Sequence, residues 1–154
     1  MSSKPVFLNL TPHDVNVYSG RELILSIPRS GWIARVSSFP VEVGRIEVEG
    51  WAIPINKIVY GDVVIENEGT GERFAINSDR DLERFLEYFK SRSDIGDRVI
   101  AVIVSLVVLQ ALRRKKIGVL SKKYIVVCPD TNPGSAIRDS TGRILGVKAF
   151  QIIF

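Results

Sequence analysis

The chain has 154 residues and a mass of 17.2 kDa, the size of one ordinary domain. Its 45% hydrophobic and 25% charged residues exclude whole-chain disorder, collagen-like repeats and low complexity. A single Cys and a single His exclude an internal disulfide framework and argue against any Cys/His metal site or metal cofactor.

The net charge of +4 is unevenly spread. Residues 98–154 carry ten Lys/Arg and two Asp, whereas residues 1–97 carry eleven Lys/Arg and fifteen Asp/Glu. Such asymmetry suits an anionic ligand, nucleic acid, a complementary subunit, or solubility with no partner at all. The start Met1-Ser2-Ser3-Lys4-Pro5 lacks the apolar core of a signal peptide. The longest apolar stretch, Val99 to Leu112, is broken by Ser105 and Gln110, and a membrane span needs about twenty residues. The expectation is a soluble, cytoplasmic protein with no membrane partner, its lone Cys128 kept reduced. One Met, two Gln and one Cys in an Ile/Val/Arg-rich chain fit a thermophilic, archaeal-type source.

In chain order, the first 65 residues read as a β meander. Val6 to Leu10 is an apolar run that breaks at the turn Thr11-Pro12-His13-Asp14. Val15 to Tyr18 and Glu22 to Ile27 flank a hairpin signal at Ser19-Gly20. Pro28-Arg29-Ser30-Gly31 is the next turn. Trp32–Val36, Val41–Val48, Trp51–Ile53 and Lys57–Ile65 follow as separate strands, several alternating apolar and charged residues as if one face were in water. Glu66 to Glu72 is a polar loop. Ser78 caps an amphipathic helix to about Arg92, with Asp79 and Asp81 at its N-terminus and Leu82, Phe85, Leu86 and Phe89 on one stripe. This helix is expected to pack on the outside of the fold. Val99 to Val104 reads as a central strand buried on both faces. Ser105 caps a second helix, Leu106 to about Lys116, with Gly118 as its stop. Tyr124–Cys128 is another buried strand. Ala136–Arg138 and Arg143–Val147 form a terminal hairpin around Asp139–Gly142, and the apolar end Phe150–Phe154 is packed or paired. The expected fold class is α+β, or mixed α/β, in one domain spanning 1–154.

Candidate chemistry is sparse. His13 beside Asp14 is the only pairing that could act as a general base, and a capping or turn role is its alternative. Ser105 lacks the flanking glycines of a nucleophile elbow and reads better as a helix cap. Asp130, Thr131 and Asn132 follow a buried strand, where loops of open α/β sheets bind ligands, and Arg138 could fork onto a phosphate or carboxylate. Arg113, Arg114, Lys115 and Lys116, with Lys122 and Lys123, form the strongest basic cluster. It suits phosphate or nucleic-acid contact, or simply the C-terminal end of a helix dipole. No helix-turn-helix, zinc, phosphate-loop or dinucleotide motif is present.

Several stretches, in order, resemble a family of small uncharacterised proteins of phages, prophages and prokaryotic genomes. They are Asn9-Leu10-Thr11-Pro12-His13-Asp14-Val15, Pro28-Arg29-Ser30-Gly31 with Ala34-Arg35-Val36, Tyr60-Gly61-Asp62-Val63, and Val102-Ile103-Val104-Ser105. Pro129-Asp130-Thr131, Arg138-Asp139, Gly142-Arg143-Ile144 and Gly146-Val147 complete the set. The resemblance implies a viral or mobile-element origin, hence a host cytoplasm, and supplies no activity or cofactor. It also implies that 66–96, which shorter relatives lack, is an acidic helical insertion.

Three functions remain in order of expectation. The first is a non-enzymatic module binding an anionic small molecule or a protein partner through His13, Asp130, Thr131, Arg138 and Arg143. The second is a homo-oligomeric virion or assembly protein. The third is a small hydrolase or nuclease using His13 with Asp14 or Asp130.

Overall fold

The computed structural model describes residues 6–92, 99–118 and 124–152. The first elements in chain order are β1 (Val6–Asn9), β2 (Val15–Ser19), β3 (Glu22–Ile27), β4 (Trp32–Val48), β5 (Trp51–Asn67), β6 (Arg73–Ile76) and α1 (Asp79–Ser91). β7 (Val99–Ile103), α2 (Leu106–Arg114), β8 (Ile125–Pro129), β9 (Ala136–Arg138), β10 (Ile144–Val147) and β11 (Phe150–Gln151) follow.

Strand accounts for 52% and helix for 16%, so the fold is β-rich and not the balanced α+β or α/β arrangement expected. Much of the difference lies in β4 and β5. The short strands expected between Trp32 and Ile65 fuse into two strands of 17 residues each. Pro40 and Pro54 do not interrupt them, because each strand of a two-stranded ribbon has an unpaired side, the setting in which strands accept proline. Glu49 and Gly50 make the tip with φ of 49° and 81°, the left-handed pair that a tight hairpin turn needs.

The N-terminal part is not a meander either. β1 runs parallel to β7, with Leu8 opposite Val102 and Asn9 opposite Ile103, in a sheet ordered β1-β7-β8-β11. The β2–β3 hairpin joins the C-terminal hairpin in the order β3-β2-β10-β9, and among the described residues the one run of three consecutive antiparallel strands is β4-β5-β6. Short apolar strands carry no mark of their partner; tertiary packing chooses it.

The sheet built on β7 lies in the middle. Val102, Val126 and Cys128 pack with α1, α2 and the roots of β4 and β5 in the main core. Ile103 and Val127 pack on Val15 and Ile27 in a second core, where Phe7 and Phe150 stack with ring centres 6.0 Å apart. Tyr18 lies over Gly146 so closely that any Cβ there would collide with its ring.

The local expectations fare better. Ser78 Oγ accepts from Asp81 N (3.2 Å), and Ser105 Oγ accepts from Val108 N (3.4 Å). β7 is the central strand, with Ala101, Val102 and Ile103 buried. Phe150 and Gln151 pair with Pro129 and Cys128, whereas Ile152 lies beyond the strand and is exposed; residues 153 and 154 lie outside the described residues. α1 packs on the fold through its apolar stripe, with the opposite side exposed: Phe85 is 0% exposed and meets Trp32 and Phe74 with ring centres 5.2 and 5.4 Å apart. Tyr88 donates to the Glu72 carboxylate, which raises the Tyr88 pKa and lowers that of Glu72. The strand β6, between loop and helix, was not expected. The end of the proposed insertion, 93–96, lies outside the described residues.

Candidate functional site

The first turn is a structural knot. Asn9 is 1% exposed. Its Nδ2 donates to the carbonyls of His13 (2.9 Å) and Ile27 (3.2 Å), and its Oδ1 accepts from Thr11 N (3.0 Å). The Thr11 hydroxyl lies 2.7 Å from Asn9 Oδ1 and 2.9 Å from the His13 carbonyl, and donates to one or the other. Ser30 Oγ donates to the Asn9 carbonyl (2.7 Å), and Ala34 N donates to the Leu10 carbonyl (2.9 Å). Leu10 N in turn reaches the Ile103 carbonyl (2.8 Å). These bonds tie all three sheets together. His13 enters through its backbone, and its imidazole is exposed. Asp14 Oδ1 accepts from Arg29 N (2.9 Å) and not from His13.

The other candidate ligand residues are held in their own turns. Asp130 Oδ1 accepts from Asn132 N (3.0 Å) and Nδ2 (2.7 Å). Thr131 is exposed. Arg138 Nη1 donates to the Gly142 carbonyl (2.6 Å). Arg143 offers its backbone N–H to Asp139 Oδ1 (3.0 Å). Among the described residues no hydrogen bond or ion pair joins His13 to Asp130, Thr131, Arg138 or Arg143. Asp139 organises the last hairpin, also accepting from Thr141 N (2.9 Å) and Oγ1 (2.6 Å). The Thr141 hydroxyl first, and then the two backbone N–H groups, hold its carboxyl below the usual Asp value. A depressed carboxyl stabilises the fold above its unfolded pKa of about 3.9 and loses that contribution as pH falls through the lower folded value. Protection of the Thr141 and Arg143 amides, relative to their intrinsic exchange rates, is therefore expected to fall below about pH 4. In Asp139→Asn that protection should be low already at neutral pH and flat across that range; an unchanged profile in the variant would show that the turn does not depend on this carboxylate.

Three of the four described residues of the basic cluster are engaged within the chain. Arg113 Nη1 donates to the Ile117 carbonyl (3.4 Å), and burial lowers its pKa. The Arg114 guanidinium lies 4.5 Å from the Tyr60 ring centre. Lys115 Nζ meets Asp62 (2.9 Å) and Asn77 (3.4 Å). Lys116 is exposed; Lys122 and Lys123 lie outside the described residues.

The feature that the sequence pattern did not distinguish is the β4–β5 ribbon. Its root is core: Trp32, Ala34, Val63 and Ile65 are buried. From Ser37 to Val59 every residue except Gly44 is exposed. Opposed residues on paired strands share a face. Phe39–Val59, Val41–Lys57, Gly44–Ile55, Ile46–Ile53 and Val48–Trp51 therefore make one face; Pro40–Ile58, Glu42–Asn56, Arg45–Pro54 and Glu47–Ala52 make the other. The first face is almost wholly apolar, and the second is polar or proline-bearing except at Ile58 and Ala52. Val43 is the extra residue of a bulge between them. From Val36 to Val48 the arm extends about 40 Å at roughly 3.3 Å per residue.

Ten large apolar side chains of the arm are at least 40% exposed. At about 150–250 Å² for the aromatic side chains, and somewhat less for the aliphatic ones, their exposed surface comes to roughly 900 Å², of which the eight on the first face, without Val43 and Ile58, account for roughly 700 Å². The largest apolar patch of a typical monomer is about 300–600 Å², and a stable interface takes about 800 Å² from each partner. The arm carries interface-sized apolar surface.

A cleft of about 330 Å³ lies at the arm's root, lined by Leu10, Pro12, Ile33 and Val36 with Val107 and Val108 of α2. No described helix is long and apolar enough to cross a membrane. Neither a family model, a curated protein nor a solved structure matches this chain.

Proposed function

We propose that this protein is a non-enzymatic homo-oligomeric assembly protein whose β-arm binds a second copy of the chain. The observation that carries this is the arm's exposed apolar face, which is larger than monomers ordinarily leave in water. The separate local turns that hold His13, Asp130, Thr131, Arg138 and Arg143 favour assembly over a module for an anionic small molecule. The family resemblance adds a viral or mobile-element setting, in which an assembly role is at home. The buried Asn9 and Thr11, bonded to Ser30 and, through Leu10, to Ile103 and Ala34, then serve to fix the platform from which the arm projects.

Light scattering on the native chain over a dilution series from the micromolar range upward tests this. A mass that is a multiple of 17.2 kDa is expected, and it should persist at high salt, because apolar burial is not screened. A monomer throughout would overturn the proposal. A multimer that dissolves in salt would also overturn the arm as its basis and point to pairing of the acidic and basic parts of neighbouring chains.

A further inference from the structure

The arm's tip and the cleft at its root fit each other in size, polarity and charge. Trp51, beside the tip turn, is 76% exposed, more than any other large apolar side chain described. Tryptophan is among the residues that most often anchor an interface when seated in a pocket. The root cleft, at about 330 Å³, falls at the lower end of the roughly 300–1,000 Å³ range of pockets that hold compact groups. Val107 of its lining, and Leu106 between it and the lining residue Ser105 in the chain, are exposed.

Charge is complementary as well. On the arm, Glu42 is satisfied by Arg45 (3.1 Å), whereas Glu47 and Glu49 meet no cation among the described residues. Among the described residues the only charged one lining the cleft is Arg35, and the first turn of α2 beside it holds no acidic residue. The tip thus carries two carboxylates and the cleft one guanidinium, opposite in charge. A chain cannot fill its own cleft, since about 40 Å of rigid ribbon separates Trp51 from Val36.

We propose that Trp51 of one copy seats in the cleft between β4, the Leu10–Pro12 turn and α2 of the next copy, with Glu47 and Glu49 near that copy's Arg35. This rests on the assembly reading and gives it a geometry. Each copy offers one tip and one cleft, on different surfaces, so the contact is head-to-tail and builds a ring or a filament.

Two measurements test it. Trp51→Ala is expected to weaken self-association on the order of a hundredfold in light scattering, as for an interface hot spot. Trp32, the other tryptophan, is buried in the core, so a blue shift and reduced quenching of fluorescence on assembly would report Trp51. Mild oxidation of an equal mixture of Val48→Cys and Leu106→Cys proteins, each retaining Trp51, should give disulfide-linked heterodimers; native Cys128 is fully buried and does not compete. A native chain that assembles while Trp51→Ala assembles equally well overturns the docking and leaves the assembly reading standing. So does cross-linking of Val48→Cys only to itself or to Leu23→Cys on the exposed β3 edge. A native chain that stays monomeric overturns both.

Discussion

Asn9→Ala is expected to lower stability by about 3 kcal/mol, because several buried partners lose a bond at once and each unsatisfied buried group costs roughly 1–3 kcal/mol. The Ile27 carbonyl loses a donor, Thr11 N loses its acceptor, and the His13 carbonyl keeps only the Thr11 hydroxyl. Alanine also cannot hold the turn against the Ser30 and Ala34 bonds, which depend on where the Asn9 and Leu10 carbonyls point. For a chain of this size, that loss corresponds to a melting temperature lower by about 6–12 °C. Denaturant titration should show a lower midpoint with an unchanged slope. His13→Ala provides the contrast. Its side chain is exposed and only its backbone carbonyl takes part, so the expected change is within about 0.5 kcal/mol. Equal losses in the two variants would show that the imidazole contributes to the knot after all. A near-neutral Asn9→Ala would mean that the three sheets are held by packing alone.

What could be read from the residues was what local chemistry decides. Ser78 and Ser105 cap their helices because a side-chain oxygen there meets an N–H three residues on. Asp139 to Gly142 turns the last hairpin because an Asp carboxylate and a left-handed Gly fit that geometry, with Gly142 at φ 87°. Partner choice was hidden. β1 and β2 adjoin in sequence yet enter different sheets, since the Asn9 knot turns the chain from one to the other. The same knot explains why His13-Asp14 looked like chemistry. Adjacency suggested a base and its carboxylate, whereas the buried residue that matters is Asn9, whose amide closes the turn on the backbone. β6 is four residues long, too short for its alternation to register against the helix that follows. The arm was hidden for a different reason. Val41, Ile46, Val48, Trp51, Ile53 and Ile55 alternate as any half-buried strand does, and alternation declares an apolar face without saying what covers it. In Trp32, Ala34, Val63 and Ile65 the cover is the chain's own core; further along it is absent.

That division can be cut apart. Joining Val36 directly to Val63 through an Asn-Gly turn removes residues 37–62 and is expected to leave the fold intact while abolishing assembly. No buried core residue lies between Ala34 and Val63, and Val36–Val63 is already a cross-strand pair, so the two-residue turn closes an existing register. The excised contacts are surface ones. The Lys115–Asp62 pair is worth at most about 1 kcal/mol, and Arg114 over Tyr60 about 0.5–1 kcal/mol. At dilutions where the native chain is monomeric, the two proteins should therefore differ by no more than about 2 kcal/mol. As concentration rises, the native melting temperature should climb, because association stabilises only the folded state, while that of the shortened chain stays fixed at the monomer's value. A shortened chain that still assembles would relocate the interface to other exposed apolar residues, with Leu23, Ile24 and Leu25 on β3 first among them. One that no longer folds would show that the ribbon, exposed as it is, belongs to the cooperative unit.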